Sequence, residues 1–172
     1  MLVGLDYALV DPQFVAQGAR AVGGEVANVL VSFGQRDSNN ATGVALDALT
    51  LQGGGKGFSV TVALGRSAPH VSAVKDRVAG MHGVALEVDA DMNRCYSKAD
   101  LVIGGGGVGL LERMAQGLPS VTVTLADNQR GQITLCAGAG GTIDGGFAGD
   151  LVAENLASIM LPLLRAFRPM PL

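Results

Sequence analysis

One stretch of this 172-residue sequence decides the fold, and it runs from Asp100 to Gln129: Asp-Leu-Val-Ile-Gly-Gly-Gly-Gly-Val-Gly-Leu-Leu-Glu-Arg-Met-Ala-Gln-Gly-Leu-Pro-Ser-Val-Thr-Val-Thr-Leu-Ala-Asp-Asn-Gln. The apolar run 101–103 is typical of a strand that is buried on both faces. Residues 110–116 have helical spacing, and the Gly-Leu-Pro that follows ends the helix. Residues 120–125 are predicted to form the next strand. The stretch therefore indicates strand, glycine loop, helix, turn, strand and polar loop.

The glycine loop, Gly104 to Gly109, is predicted to bind an anion. Its first four residues carry no side chain, so a ligand can approach the backbone closely there. The loop leads into a helix whose first N–H groups have no intrahelical partner, and the helix dipole adds positive potential at that end. We expect the ligand to be a nucleotide diphosphate. A tight turn that binds nothing is the alternative interpretation.

Strand and helix patterns alternate along the chain from residue 26 onward. The predicted strands are 26–33, 58–64, 84–88, 101–103, 120–125 and 141–144, and the predicted helices are 41–51, 69–79, 91–99, 110–116, 130–137 and 148–167. The alternation predicts an α/β protein, a Rossmann-like three-layer α/β/α fold with a parallel sheet of about six strands. Right-handed crossovers favour the strand order 3-2-1-4-5-6, in which the first and fourth strands are neighbours. The loops after these strands, 34–40 and 104–109, should therefore meet where such sheets bind ligands.

The composition narrows the classes of function. Hydrophobic residues make up 48% of the chain and charged residues 16%, which is typical of a globular domain with a buried core. The net charge of -3 argues against a nucleic-acid partner. The sequence has no apolar run of about 18 residues, so no membrane span is predicted. Cys95 and Cys136 lack metal-ligand spacing and are expected to be buried thiols in a reducing compartment. A cytoplasmic protein is expected, since Asp6 lies where a signal peptide is basic. No metal and no cofactor are expected.

Two groups of polar side chains near the glycine loop are candidates for ligand binding. Glu112 lies in the first or second turn of the helix, where a carboxylate can accept two hydrogen bonds from a ribose diol; a favourable charge at the helix N-terminus is the alternative. Asp127, Asn128 and Gln129 follow the fifth strand at the same edge of the sheet. They suit a sugar or a phosphate, with a helix N-cap as the alternative.

The sequence offers no convincing catalytic residue. His70 and His82 are its only histidines, and both are expected to be ordinary surface residues. No serine lies in a Gly-x-Ser-x-Gly elbow. The glycine loop lacks the Gly-Lys-Ser/Thr of a Walker A loop and follows the fourth strand, which argues against a dinucleotide-dependent oxidoreductase.

Four segments together resemble the C-terminal half of a two-domain family. They are Val31-Ser32-Phe33-Gly34 with Asp37 and Asn39, Ala99 to Ile103, Glu112-Arg113 with Gly117-Leu118-Pro119-Ser120, and Ala126 with Asn128-Gln129. That family contains the nucleotide-sugar hydrolase of pseudaminic acid biosynthesis and spore-coat polysaccharide biosynthesis proteins. Asp6-Tyr7-Ala8-Leu9 with Phe14 resembles the segment that joins its two domains. More distantly, the chain is similar to the nucleotide-binding half of GT-B glycosyltransferases.

The resemblance implies a UDP-sugar-binding domain of a hydrolase or glycosyltransferase in surface polysaccharide or pseudaminic-like acid biosynthesis. Residues 1–24 would then be a linker and short helix from an N-terminal domain outside this chain, which carries the catalytic base, and residues 25–172 would hold UDP or a UDP-sugar. The N-terminal domain of the same enzyme is the implied partner. The predicted nucleotide-binding residues are Gly34, Gly105, Gly106, Gly107, Val108, Gly109, Glu112, Asn128 and Gln129.

The sequence departs from that family at its two ligand loops. Val108-Gly109-Leu110 stands where the family usually has hydroxyl residues, and Gln35 and Ser38 replace a usual glycine and proline. Backbone N–H groups remain available to phosphate oxygens. A diverged domain that binds a nucleotide or a partner without chemistry is therefore the alternative function.

Overall fold

The computed structural model describes residues 8–15, 26–53 and 57–166, and within them strands and helices alternate. The strands are β1 (Asn28–Ser32), β2 (Ser59–Leu64), β3 (Val84–Val88), β4 (Leu101–Gly105), β5 (Ser120–Thr124) and β6 (Ile143–Phe147). The helices are α1 (Pro12–Val15), α2 (Ala41–Leu51), α3 (Val71–Ala79), α4 (Met92–Lys98), α5 (Val108–Ala115), α6 (Arg130–Gly138) and α7 (Ala153–Ala166). Short 3₁₀ turns cover Asp127–Gln129 and Ala148–Asp150.

The six strands form one parallel sheet in the order β3-β2-β1-β4-β5-β6, which confirms the predicted fold class and strand order. β1 and β4 lie side by side, with Leu30 opposite Val102, so the chain reverses its direction of strand addition between them. β4 and β5 are buried along their whole length. This burial explains the continuous apolar run Leu101–Ile103 at the start of β4.

Helices cover both faces of the sheet and complete three layers. On one face, α2, α3 and α7 pack on the sheet in a large apolar cluster that includes Leu46, Val78 and Met160. On the other face, α1 and α4 contribute to a second cluster around Leu30 and Val102, and α5 and α6 form a third around Leu110. The two free cysteines lie in these last clusters and are buried, which confirms the expected thiols.

The glycine loop is shorter than the sequence predicted. Gly104 and Gly105 are the last residues of β4, and Val108 and Gly109 form the first turn of α5, so only Gly106 and Gly107 connect the two elements. β4 needs glycine at these positions because neighbouring segments of the chain occupy the space that side chains would take. A Cβ on Gly104 would lie 2.5 Å from the carbonyl oxygen of Ser32 on β1.

The start of α2 is capped by a side chain from the loop after β1 and not by the residue at the cap position. Asn40 occupies the cap position in the left-handed region, with φ 53°, and its side chain makes no cap hydrogen bond. Asp37 does the capping instead, because its carboxylate accepts hydrogen bonds of 2.9 Å from the N–H groups of both Ala41 and Thr42. Asp37 is buried, so the loop after β1 is held firmly against α2.

Most other boundaries lie within two residues of the prediction, two elements differ by more, and part of the expected entry segment is not described by the structure. β6 spans Ile143–Phe147 rather than 141–144, and the last helix begins at Ala153 rather than at residue 148 because a 3₁₀ turn precedes it. Of the predicted entry segment 1–24, the structure describes only residues 8–15. Residues 16–24, and Asp6 with Tyr7, lie outside the described residues.

Candidate functional site

A cavity of about 300 Å³ lies at the carboxyl edge of the sheet, where β1 and β4 are neighbours. Gly34 and Gln35 of the loop after β1 line one side of it, and the end of β4 with the first turn of α5 lines the other. The wall is completed by the end of β2, by Ala90 in the loop after β3, and by Met92 and Tyr96 of α4. The two loops that the sequence singled out therefore meet at the switch point of the sheet.

The structure brings most of the predicted nucleotide-binding residues to this cavity. Those that line it are Gly34, Gly105, Gly107, Val108, Gly109, Glu112 and Gln129. Gly106 is buried beside α6, where a Cβ would lie 2.3 Å from Cδ1 of Ile133. Asn128 is exposed on the 3₁₀ turn and is not part of the lining. Its neighbour Asp127 pairs with Arg130 at 2.9 Å.

The turn between β4 and α5 presents backbone N–H groups at the cavity. Gly107 is the N-cap of α5, and no side chain caps the helix there. The carbonyl oxygens of Gly106 and Gly107 accept hydrogen bonds from Nε2 of Gln132 at 2.9 and 3.2 Å. Because α6 binds these carbonyl groups, the turn is fixed while the uncapped N-terminus of α5 remains open to an anion.

Gln129 connects the loop after β5 to the same turn. Its Oε1 atom accepts a hydrogen bond of 2.9 Å from the N–H of Leu125. Its Nε2 atom lies 3.8 Å from the position that a Cβ on Gly107 would occupy. The side-chain amide thus uses its acceptor to close the loop and directs its donor toward the glycine turn.

Three polar side chains converge at Gly109, in the first turn of α5. A Cβ placed on Gly109 would lie 2.9 Å from Oη of Tyr96, 3.4 Å from Nη1 of Arg113 and 3.8 Å from Oε2 of Glu112. All four residues line the cavity. We call Tyr96, Glu112 and Arg113 the polar triad. It contains one acidic and one basic group, with a hydroxyl beside them.

Arg113 is the most deeply buried charged residue of the site, with 1% of its surface exposed. Its Nη2 atom donates hydrogen bonds of 3.1 Å to the carbonyl oxygen of Gly105 and to Oγ1 of Thr122. Nε has no hydrogen-bond partner. Burial lowers the pKa of Arg113, while Tyr96 and Glu112 act in the opposite direction. A buried cation with an unused donor is costly, so it indicates a functional role.

Burial also shapes the other two members of the polar triad. It raises the pKa of Glu112, against the opposing effects of a hydrogen bond with Tyr96 and the charge of Arg113. It raises the pKa of the Tyr96 hydroxyl as well. The Tyr96 ring packs edge-on against Phe14 of α1, with 5.8 Å between ring centroids. The three groups therefore form one coupled cluster that is partly withdrawn from water.

Tyr96, Arg113 and Gln132 were not among the residues predicted from the sequence. Arg113 follows Leu110 by three positions, so it lies on the apolar face of α5. An arginine at such a position is a signal, because arginine is rarely buried. The alternating hydroxyl residues of β5 are a second signal for a buried Arg113, because one of them, Thr122, accepts its hydrogen bond. Tyr96 and Gln132 carry no such local signal, since their contacts come from other elements.

The described residues show no metal site, and neither histidine lines the cavity. No group of three or more His, Cys, Asp or Glu side chains among them is placed to hold a metal ion. His70 and His82 do not line the cavity; His82 is exposed and His70 is half-buried. No helix in the described part of the chain is long and apolar enough to cross a bilayer.

Sequence comparison relates the chain to a protein of polysaccharide biosynthesis. No protein-family model matches the chain. It is 25% identical over 173 residues to the spore coat polysaccharide biosynthesis protein SpsG of Bacillus subtilis, an alignment that covers 98% of the chain and 50% of that relative. The chain therefore spans about half the length of the curated relative that it matches.

Solved structures define the class of fold. The glycotransferase of kitacinnamycin matches with a TM-score of 0.65 and 18% identity, over 87% of this chain and 38% of that one. The UDP-GlcNAc 2-epimerase from Neisseria meningitidis, bound to UDP-GlcNAc, matches with a TM-score of 0.63 and 19% identity, over 81% and 37%. The six-stranded parallel sheet with its helices matches the fold of the Rossmann-like half of GT-B glycosyltransferases.

Proposed function

We propose that this chain is the domain that holds the UDP part of a UDP-sugar in a glycosyltransferase or nucleotide-sugar hydrolase of surface polysaccharide biosynthesis. One observation carries the proposal: the uncapped glycine turn and the Glu112 carboxylate line the same cavity at the switch point of the sheet. The relative with 25% identity acts in spore coat polysaccharide biosynthesis, and one structural neighbour is bound to UDP-GlcNAc.

The geometry suggests a place for each part of the nucleotide. The diphosphate would lie against the N–H groups at the start of α5, beside Gly107 and the Nε2 donor of Gln129. Glu112, one turn further along α5, would accept hydrogen bonds from the ribose hydroxyls. Gly34 would face the ligand across the cavity. The N–H groups at the start of α5 and Glu112 belong to one helix, so the distance between the diphosphate and the ribose positions is fixed.

This chain would then stabilise the leaving group of the reaction. Cleavage of the bond between sugar and phosphate leaves negative charge on the diphosphate, and the N-terminus of α5 is aimed at that position. The base that activates water or an acceptor hydroxyl would come from an N-terminal domain, which residues 1–24 would join to residues 25–172. A nucleotide-sugar hydrolase of the pseudaminic acid pathway is the finer form of this proposal, and Asn128 would contact the sugar or phosphate from outside the cavity.

Calorimetric titration of UDP into the 172-residue chain tests the proposal. Glu112→Ala should weaken UDP binding about 5- to 150-fold, because a ribose hydroxyl that loses its buried partner costs about 1–3 kcal/mol. Glu154→Ala, which removes an exposed carboxylate from α7, is the matched control and should bind as the wild type does. Unchanged affinity in Glu112→Ala would refute the ribose assignment, and no binding of UDP at millimolar concentration would refute the proposed function.

Val108 favours a second candidate, a diverged domain that binds a partner without chemistry. Its side chain is 63% exposed at the edge of the cavity, where the similar family usually carries a hydroxyl residue. An apolar side chain at this point contributes nothing to a phosphate. Absence of UDP and UDP-sugar binding at millimolar ligand would favour this second candidate, whereas saturable binding would leave only a diverged domain that binds a nucleotide without chemistry as the alternative.

A further inference from the structure

The first turn of α6 holds the turn between β4 and α5 in place. Ile133 packs on Gly106 so closely that a Cβ on Gly106 would lie 2.3 Å from its Cδ1 atom. Nε2 of Gln132 donates hydrogen bonds to the carbonyl oxygens of Gly106 and Gly107, at 2.9 and 3.2 Å. Gln132 is half-buried and is not among the residues that line the cavity, so it binds the turn from outside the cavity wall.

A single donor atom that bonds two successive carbonyl groups fixes the direction of both peptide units. In a trans peptide unit, as all the described units are, the N–H points away from the carbonyl oxygen. The unit with the carbonyl of Gly106 carries the N–H of Gly107, and the next unit carries the N–H of Val108. Both N–H groups therefore point away from Gln132, at the two residues of the turn that line the cavity.

The direction of these N–H groups matters because the cavity offers an anion few other donors. Arg113 is the one basic residue among the described residues that line it, and its Nη2 atom is bonded to Gly105 and Thr122. The side chain of Val108 has no hydroxyl group to donate, and no side chain caps α5. Successive N–H groups that point the same way form a concave surface that binds anions. Binding of a phosphate here therefore depends on how the backbone is oriented.

We infer that Gln132 is a positioning residue for the diphosphate, since its side-chain amide turns the N–H groups of Gly107 and Val108 toward one phosphate group of the ligand. This inference rests on the proposed function, which it deepens by naming the residue that orients the phosphate donors. Gln132 does not touch the ligand. It holds the two peptide units in their binding orientation before a ligand arrives, which lowers the entropic cost of binding.

The test compares UDP with uridine, which carries the same base and ribose but no diphosphate. Gln132→Met keeps the approximate length of the side chain and removes its donor. Gln52→Met is the matched control, because Nε2 of Gln52 also donates to a backbone carbonyl oxygen, that of Ala157 at 3.4 Å, where α2 packs on α7 away from the cavity. Titrations give the affinities, and NMR spectra of the ¹⁵N-labelled 172-residue chain report the amide protons of Gly107 and Val108 directly.

Gln132→Met should bind UDP about 5- to 100-fold more weakly than the wild type, because two phosphate donors lose their fixed direction. Uridine should bind this variant as it binds the wild type, which separates a positioning role from general damage to the cavity. Gln52→Met should bind both ligands as the wild type does. In the wild type, UDP should move the amide-proton resonances of Gly107 and Val108 downfield, and uridine should not.

Three results would overturn this inference while leaving the proposed function standing. They are an unchanged UDP affinity in Gln132→Met, an equal loss of affinity for uridine in that variant, and UDP binding to the wild type without shifts at Gly107 and Val108. The last of these needs no variant, so it decides the matter even where Gln132→Met folds poorly. Failure of UDP to bind the wild type would overturn the proposed function itself.

Discussion

Arg113 donates a hydrogen bond of 3.1 Å from Nη2 to Oγ1 of Thr122, and this bond ties α5 to β5 beneath the cavity. Thr122 is fully buried and is itself 2.6 Å from Oγ1 of Thr142. Ser120, on the same strand, is 2.9 Å from Thr142 as well. The buried cation of the site thus rests on a network of hydroxyl groups that spans two neighbouring segments of the chain.

Replacing Thr122 with valine should destabilise the fold by about 1–3 kcal/mol, because the isosteric side chain removes the acceptor for Nη2 of Arg113 and the hydroxyl partner of Thr142. Thr124→Val is the control: Thr124 is buried on the same strand but bonds neither residue. The free energy of unfolding in urea measures both changes. Equal losses in the two variants would show that the network contributes no specific stability.

Asp37→Ala should cost about 1–2 kcal/mol of stability, because two N–H groups at the start of α2 lose a buried acceptor. Asp47→Ala provides the comparison within the same helix. Its carboxylate pairs with Arg77 at 2.6 Å on the surface, an interaction worth about 0–1 kcal/mol. If Asp47→Ala proved as damaging as Asp37→Ala in urea unfolding, the assignment of Asp37 as the cap would be wrong.

The raised pKa of Glu112 predicts how stability depends on pH. Since burial raises this pKa, the folded protein holds the proton more tightly than the unfolded chain does. The resulting stabilisation is fully present below the unfolded pKa and is lost as pH rises through the folded pKa. Glu112→Gln stays neutral, so its free energy of unfolding relative to the wild type should increase between acidic and neutral pH. Urea unfolding at several pH values measures this, and a constant or decreasing difference would contradict the assigned pKa direction.

The fold was predictable from local pattern, whereas the site was predictable only in part. Apolar runs and glycine-rich turns locate the strands, and the order of elements then restricts the sheet to few topologies. The place of Glu112 in the cavity wall was predictable because its position next to a glycine loop is a local feature. Tyr96 and Arg113 were missed because their burial depends on residues of other elements, Phe14 and Thr122 among them. The capping role of Asp37 was also not predicted. It depends on the left-handed conformation of Asn40, which the sequence does not reveal.

We propose that the cavity between β1 and β4 holds UDP with its ribose on Glu112, and a crystal structure of the 172-residue chain soaked with UDP would show whether it does. We expect both ribose hydroxyls within about 3.2 Å of the Glu112 carboxylate, the usual limit of a hydrogen bond, and the diphosphate over the N–H groups at the start of α5. A UDP molecule bound with its ribose away from Glu112, or outside this cavity altogether, would contradict this proposal.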